Sequence, residues 1–343
     1  MRRKSRGADR PRAWKVVARL MVAALSQAGL SCAPPVPPER DLLLATASVG
    51  GTFYPAGVAM ASVLARAGTE EEPLLASAIT SSGSAENIRM IELGEAQLGI
   101  IQNLFAIQAR AGEGLYEGRP VEKLRGVMML WKNVEQVVAR RTRDMEAEPT
   151  VTSGLRALAG ARLSIGPRWS GAEVSGRALL EKLGFDPDRD FSLAHLGYGP
   201  SADALQDRRI DAFFLSAGVP TSAVSQVFAG IGAGAAVMLE FSDAELESLS
   251  AGREVWQRHV IPAGTYPGLD RPVATVAQPN VLVTSSEAPE EVIHQVTKAL
   301  WENLDTLQKQ HAVFRELSLE RALESMPLPP HPGAERYYRE AGL

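Results

Sequence analysis

The chain is as informative in what it lacks as in what it contains. One cysteine, Cys32, in 343 residues excludes an internal disulfide, so the folded body has to rely on its apolar cores. Five histidines, His195, His259, His294, His311 and His331, stand apart from one another and lack the close His/Cys/carboxylate spacing of a zinc site. They read as surface or capping residues, and no metal or cofactor is expected. No glycine loop ends in Gly-Lys-Ser/Thr, which removes a P-loop. Gly50-Gly51 has no third glycine in register for a dinucleotide fold, and no G-x-S-x-G elbow occurs. Basic charge is confined to one end. Residues 1–31 carry eight Lys/Arg against Asp9, a net +7, so with −4 for the whole chain the remainder holds −11 (−4 − 7). A body that acidic has no basic stripe to neutralise phosphates, which disfavours nucleic acid or an anionic membrane surface as the main partner, and no nucleic-acid partner is expected.

What is present fits a two-lobed α/β protein. Hydrophobic residues make up 45%, enough to fill two cores, and 30 glycines with 22 prolines against only 6% aromatics suit many short connections between alternating strands and helices. The basic start, the apolar stretch 16–25 and the small residues up to Cys32 have the layout of an export signal (1–31). Residues 32–40, with Pro34, Pro35, Pro37 and Pro38, form a stiff tether. Cys32 has two readings: an incidental thiol, or the acylated residue of a lipoprotein. Leu30 sits one position too close to it for the usual lipobox.

Residues 42–66 organise the rest of the body. An apolar run of Leu42, Leu43, Leu44 and Ala45 meets Gly50-Gly51, and Pro55 then opens a helix carrying Val58, Ala59, Val63 and Leu64. Helix starts present free N–H groups and attract anions, although a glycine pair also serves as a plain tight turn. The same strand–loop–helix pattern recurs. Strand 74–80 leads to Ser81-Ser82-Gly83-Ser84 and a helix with Ile88, Ile91 and Leu93 on its apolar side, and strand 98–101 delivers Gln102 and Asn103 to its C-terminal end. Two short strands, 127–130 and 134–139, flank Trp131-Lys132-Asn133. Beyond a charged loop at 140–149 the pattern echoes itself: strand 162–165, the loop containing Arg168, Trp169, Ser170 and Gly171, helix 172–183, then strand 211–215 ending at Ser216-Ala217-Gly218. Extended chain at 273–284 crosses back, and one helix from Pro289 carries Val292, Val296, Leu300, Leu304 and Leu307. Such neutral donors at helix starts suit holding a small carboxylate without reacting with it. Arg168 is the nearest cation to compensate an anion, with a solvated arginine as the alternative.

At this point a family resemblance is specific. The chain resembles the solute receptors of the TAXI class of TRAP transporters (tripartite, ATP-independent periplasmic) over nearly everything after the signal. The likeness rests on Gly50-Gly51-Thr52-Phe53-Tyr54-Pro55, Ser82-Gly83-Ser84-Ala85-Glu86-Asn87, Gly94-Glu95-Ala96-Gln97-Leu98-Gly99, Ser170-Gly171-Ala172-Glu173, Ile210-Asp211-Ala212-Phe213-Phe214, Ile261-Pro262-Ala263-Gly264-Thr265-Tyr266-Pro267-Gly268 and His331-Pro332-Gly333-Ala334-Glu335-Arg336-Tyr337-Tyr338. It implies a two-lobed type II periplasmic binding protein fold with an interlobe cleft. The implied ligands are glutamate, glutamine or a related small dicarboxylate such as 2-oxoglutarate, and the implied partner is a TRAP membrane permease. Carried over residue by residue, and joined with the loops read above, the ligand-binding set is Gly51, Thr52, Phe53, Tyr54, Ser82, Ser84, Asn87, Gln102, Asn103, Arg168, Trp169, Ser170, Gly171, Ala217 and Gly218, with no catalytic residue. Three departures each remove a polar group: Phe53 for a second tyrosine, Leu104 for an aspartate, and Ala172 for a threonine. Loss of an acid at 104 favours a dicarboxylate or oxo-acid over an amino acid.

The expected organisation is lobe 1 over 41–135, lobe 2 over 136–260, and a return crossover with the rest of lobe 1 over 261–343, the crossing segments 134–139 and 273–284 acting as hinges. The expected location is periplasmic, with Cys32 as an optional lipid anchor. Two rivals remain: a tethered sensor that reports its ligand to a membrane partner, and an enzyme on the same fold, for which no acid–base pair or nucleophile is visible.

Overall fold

The computed structural model describes residues 41–68, 74–158, 160–250 and 255–343. The expected signal, the proline tether and Cys32 lie outside the described residues.

The first lobe opens with two strand–helix units. Strand β1 (Asp41–Ala45) buries Leu42 and Leu44, and helix α1 (Phe53–Ala67) packs Phe53, Ala56, Met60, Val63 and Leu64 inward at helical spacing. Val58, expected on that apolar face, is exposed, because it lies between the inward rows. Strand β2 (Leu75–Ile79) pairs parallel with β1. Helix α2 (Ser84–Glu92) buries Ile88 and Ile91 but leaves Leu93 exposed as its C-cap. Strand β3 (Leu98–Gln102) lies parallel to β1 on its other side and runs directly into helix α3 (Asn103–Ala111).

Where two short strands flanking Trp131-Lys132-Asn133 were expected, one 17-residue strand, β4 (Leu124–Arg140), runs unbroken. The polar pair does not end it, because Asn133 satisfies its amide inside the sheet: Nδ2 donates to the Ser216 carbonyl (3.2 Å), and Oδ1 accepts from Asn280 Nδ2 (2.9 Å). The second lobe then winds through α4 (Val151–Arg156), β5 (Arg162–Ser164), α5 (Gly171–Lys182), α6 (Pro187–Asp190), β6 (Ser192–Ala194), α7 (Tyr198–Gln206), β7 (Ala212–Ala217), α8 (Ser222–Ile231), β8 (Ala236–Leu239), α9 (Asp243–Ser250) and β9 (Gln257–Ile261). Strand β10 (Val273–Ser285) carries the chain back. The helix expected from Pro289 is two, α10 (Glu290–Glu302) and α11 (Leu304–Gln310), broken at Asn303, whose Nδ2 turns back onto the Ala299 carbonyl. The terminal helix α12 (Pro332–Glu340) packs against α10 and is capped by His331, whose Nδ1 accepts from Gly333 N (3.1 Å).

Ten strands form one sheet in the order β2-β1-β3-β10-β4-β7-β5-β6, with β8 on β4 and β9 on β10. This is the mixed α/β fold of the periplasmic binding proteins. Each lobe contributes a parallel trio (β2-β1-β3 and β7-β5-β6), and the long antiparallel pair β4/β10 belongs to both. In its first half β10 pairs with β9 of the second lobe, from Val273 to Ala277; from Asn280 onward it pairs with β3 of the first. The switch coincides with Pro279, which cannot donate to a ladder, and with a register shift between Pro279 and Val281. The C-terminal ends of the parallel strands in the two lobes therefore face one another across β4 and β10.

Candidate functional site

Three strand-to-helix junctions of the first lobe meet three of the second across a narrow cleft. Its walls are Ala47, Ser48, Gly51, Thr52, Phe53, Ser82, Gly83, Ser84 and Gln102 on one side, and Pro167, Ser170, Gly171, Ala172, Tyr198, Ser216 and Ala217 on the other, with Asn133 of β4 among the lining. The space is about 440 Å³ with its mouth included, of which only about 40 Å³ can seat the centre of a water-sized molecule. That is room for a few small polar groups. The lobes touch directly: Thr52 Oγ1 donates to Gly218 O (3.3 Å), and Ser222 Oγ to Gly50 O (3.2 Å). Contact this close needs small residues. A Cβ on Gly171 would lie 2.6 Å from Gln102 Oε1, and one on Gly218 would lie 2.9 Å from Thr52 Cγ2.

None of the lining side chains carries a formal charge. Positive potential comes instead from backbone, because the first residues of α1, α2, α5 and α7 all border the cleft. Thr52, Gly83 and Gly197, at the N-caps of α1, α2 and α7, supply no side-chain cap, so the first-turn N–H groups of these helices are not taken by their own cap residues. Ser170 caps α5 by accepting from Glu173 N (3.2 Å). Burial pushes the Tyr198 phenol well above its ordinary range, so it stays neutral; its OH donates to the Ser216 carbonyl (2.8 Å).

Gln102 stands at the centre. Its backbone N donates to Ser84 Oγ (3.1 Å) within the first lobe, while its carboxamide crosses to the second: Nε2 donates to Ser216 Oγ (2.9 Å) and Oε1 accepts from Ser175 Oγ (3.3 Å). A residue expected from its position at a strand end is thus a direct link between the lobes.

Of the fifteen residues expected at the ligand, the structure brings Gly51, Thr52, Phe53, Ser82, Ser84, Gln102, Ser170, Gly171 and Ala217 together on the cleft walls. The other six lie off them. Asn87 is fully buried behind the wall, with Nδ2 on the carbonyls of Thr46 and Ile100 (both 2.7 Å) and Oδ1 accepting from Ser81 Oγ (2.6 Å), which ties the β1 and β3 ends together. Asn103 is buried with Oδ1 unpartnered. Gly218 meets the first lobe through its carbonyl, and Tyr54 is half-buried in the first turn of α1. Arg168 and Trp169 are exposed. Trp169 has a left-handed φ of 64°, a conformation uncommon for so bulky a residue. Asn133, Tyr198 and Ser216 line the cleft without having been singled out. Tyr198, inside Gly197-Tyr198-Gly199-Pro200 at a helix start, repeats the glycine–aromatic pattern of the 50–54 loop, and that was the available signal.

The model of the NMT1-like family matches residues 44–342. Among solved structures, MatC from Rhodopseudomonas palustris with bound malate is similar at 15% identity and TM-score 0.53, covering 89% of this chain and 97% of its own. PhnD1 from Prochlorococcus marinus in complex with methylphosphonate is similar at 10% identity and TM-score 0.53, covering 81% and 91%.

Proposed function

We propose that this chain, which belongs to the NMT1-like family, is an extracytoplasmic solute receptor that closes its two lobes on a small carboxylate and delivers it to a membrane permease. The observation that carries this reading is the convergence of four helix N-termini on a cleft free of charged side chains. Such a site holds an anion by backbone N–H groups, hydroxyls and the Gln102 amide, and it offers no acid–base pair for chemistry. The nine cleft-wall residues from the sequence, joined by Asn133, Tyr198 and Ser216, form the proposed ligand shell. Residues 41–135 with 261–343, and 136–260, are the proposed lobes, moving about β4 and β10.

Malate, a dicarboxylate, is bound in the similar MatC structure, which puts malate, 2-oxoglutarate and glutamate first in a ligand screen. The TAXI-like motifs make a TRAP permease the proposed partner. Thermal-shift screening of small carboxylates, amino acids and phosphonates, followed by calorimetry on the hits, tests the reading. Stabilisation by phosphonates alone, with no response to carboxylates, would refute it. Cys32 and the proline tether support a second reading, a membrane-anchored sensor. Interaction with a permease subunit in pull-downs separates uptake from sensing.

A further inference from the structure

Behind the cleft, on the same face of β4 as Asn133, Glu135 has no exposed surface. Its Oε1 accepts from Trp256 Nε1 and Gln278 Nε2, both at 3.0 Å, while Oε2 is buried without a partner of good hydrogen-bond geometry. Among the described residues no Lys, Arg or His makes a hydrogen bond or ion pair with this carboxyl. A buried carboxyl with only neutral company is expensive in its ionised form and needs a reason to be there.

Both ends of the Gln102 carboxamide lead back to it. On one side Gln102 Nε2 donates to Ser216 Oγ, and Ser216 sits opposite Glu135 in the β4/β7 register with its hydroxyl beside the carboxyl. On the other, Gln102 Oε1 accepts from Ser175 Oγ, which accepts from Gln278 Nε2 (2.9 Å), whose amide also reaches Glu135. The groups that face Glu135 are Trp256 before β9, Gln278 and Thr275 on β10, Ser216 on β7 and Tyr198 on α7; Tyr198 is the titratable one, and its phenol is held neutral partly by the Glu135 charge. Charged side chains of the packed elements are engaged elsewhere. Lys132 of β4 is beside Glu316, Arg140 bonds the Leu205 carbonyl, Glu173 of α5 pairs with Arg177, and Arg258 of β9 pairs with Asp243.

We propose that Glu135 is a positioning residue that sets the polarity the cleft presents to its solute, through a reversal of the Ser216 hydroxyl coupled to uptake of one proton from solvent. With Glu135 ionised, the Ser216 hydrogen points at Oε2 and the cleft sees a serine lone pair. When Oε2 carries a proton it donates to Ser216 Oγ, and the serine hydrogen is released toward the cleft, where an anion requires a donor. Burial already moves this carboxyl up to about 7, and a bound anion raises it further by like-charge repulsion. The affinity for an anionic solute therefore falls as pH rises above neutrality. This inference rests on the proposed reading of the cleft as an anion-binding solute site.

The test is calorimetry of malate binding in two buffers of different ionisation enthalpy, from about pH 6.5 to 9. Malate is fully ionised over most of that range, so protons taken up belong to the protein. Wild type is expected to take up a fraction of a proton per malate and to weaken by up to about tenfold per pH unit. Glu135→Gln keeps an acceptor for Trp256 and Gln278 and a donor for Ser216. It is expected to bind at pH 8 as tightly as wild type does below pH 7, with a flat profile and no proton uptake. Ser216→Ala, which removes the reversing hydroxyl, is expected to lose the slope as well. Proton uptake and slope unchanged in Glu135→Gln would overturn the proposal and leave the receptor reading intact, whereas failure of malate, 2-oxoglutarate and glutamate to bind at any pH would overturn both.

Discussion

Gly171→Ala tests the proposed closure apart from folding. Gly171 is the first residue of α5 and has no positive φ, so its backbone accepts alanine, and the change on its own is neutral to stabilising by up to about 1 kcal/mol. The obstacle lies across the cleft. The new methyl would sit 2.6 Å from Gln102 Oε1, 2.8 Å from its Cδ and 3.0 Å from its Nε2. A glutamine can swing away, but here it does so by giving up its bonds to Ser216 and Ser175, each worth about 0.5–1.5 kcal/mol net. Loss of both destabilises the closed form by about 1–3 kcal/mol, and a ligand that requires closure weakens about 5- to 150-fold. Calorimetry with the best solute from the screen, together with a melting curve of the unliganded protein, gives the two readouts. If the lobes stand apart until solute binds, the expected pattern is weakened binding with a melting temperature at or above that of wild type. Wild-type affinity in this variant would refute the idea that Gln102 and Gly171 meet when solute is held.

Other substitutions probe neighbouring parts of the same argument. Phe53 is buried edge-on to Trp131 at 6.2 Å, so Phe53→Ala is expected to cost about 3–5 kcal/mol in urea denaturation, against almost nothing if the ring served the ligand alone. Arg168 is exposed and off the cleft wall, and Arg168→Ala is expected to leave solute affinity within about threefold, a change of under 1 kcal/mol, by calorimetry. His331 is buried with Nδ1 accepting from Gly333 N, and burial holds its pKa below the usual value near 6.5. The sign follows from the depressed pKa: its contribution is complete above the unfolded value and is lost as pH falls below about 6.5 toward the folded one. Wild type is therefore expected to lose stability between pH 7 and 5 more steeply than His331→Asn, which keeps a capping acceptor; equal slopes in denaturant titrations would contradict this. His259 and His311 are shifted in the same direction, and for that reason the comparison between the two proteins carries the test.

Helix starts were legible because their chemistry is local. Gly50-Gly51-Thr52, Ser82-Gly83-Ser84 and Ser170-Gly171 each announce a turn into a helix within a few residues, and all three meet at the cleft. What stayed hidden depends on distant partners. Lys132-Asn133 reads as a strand break until Ser216 and Asn280 are known to satisfy Asn133, and Asn303 reads as helix interior until its amide folds back onto Ala299. The exposure of Arg168 and Trp169 was equally out of reach, since the loop that carries them includes a left-handed φ at a tryptophan and nothing in the residue type asks for one.

The least readable feature is also the one that ties the site to the long pair β4/β10 behind it. Asn133 and Glu135 on β4 with Gln278 and Asn280 on β10 form a polar layer with at most 1% exposure, in strands whose opposite face is filled by Val134, Val138 and Ala277. For rigidity alone, apolar residues of the same size would serve at least as well, because polar groups in a core gain little over hydrophobic packing. Directional bonds do something packing cannot. They connect particular atoms of the crossing strands to particular atoms of Gln102 and Ser216, so a shift of one strand past the other is felt as lost bonds at the cleft rather than as a slide along a greasy face. By reciprocity, whatever stabilises Gln102 against Ser216 also favours the β4/β10 register in which Gln278 reaches Ser175 and Asn280 reaches Asn133.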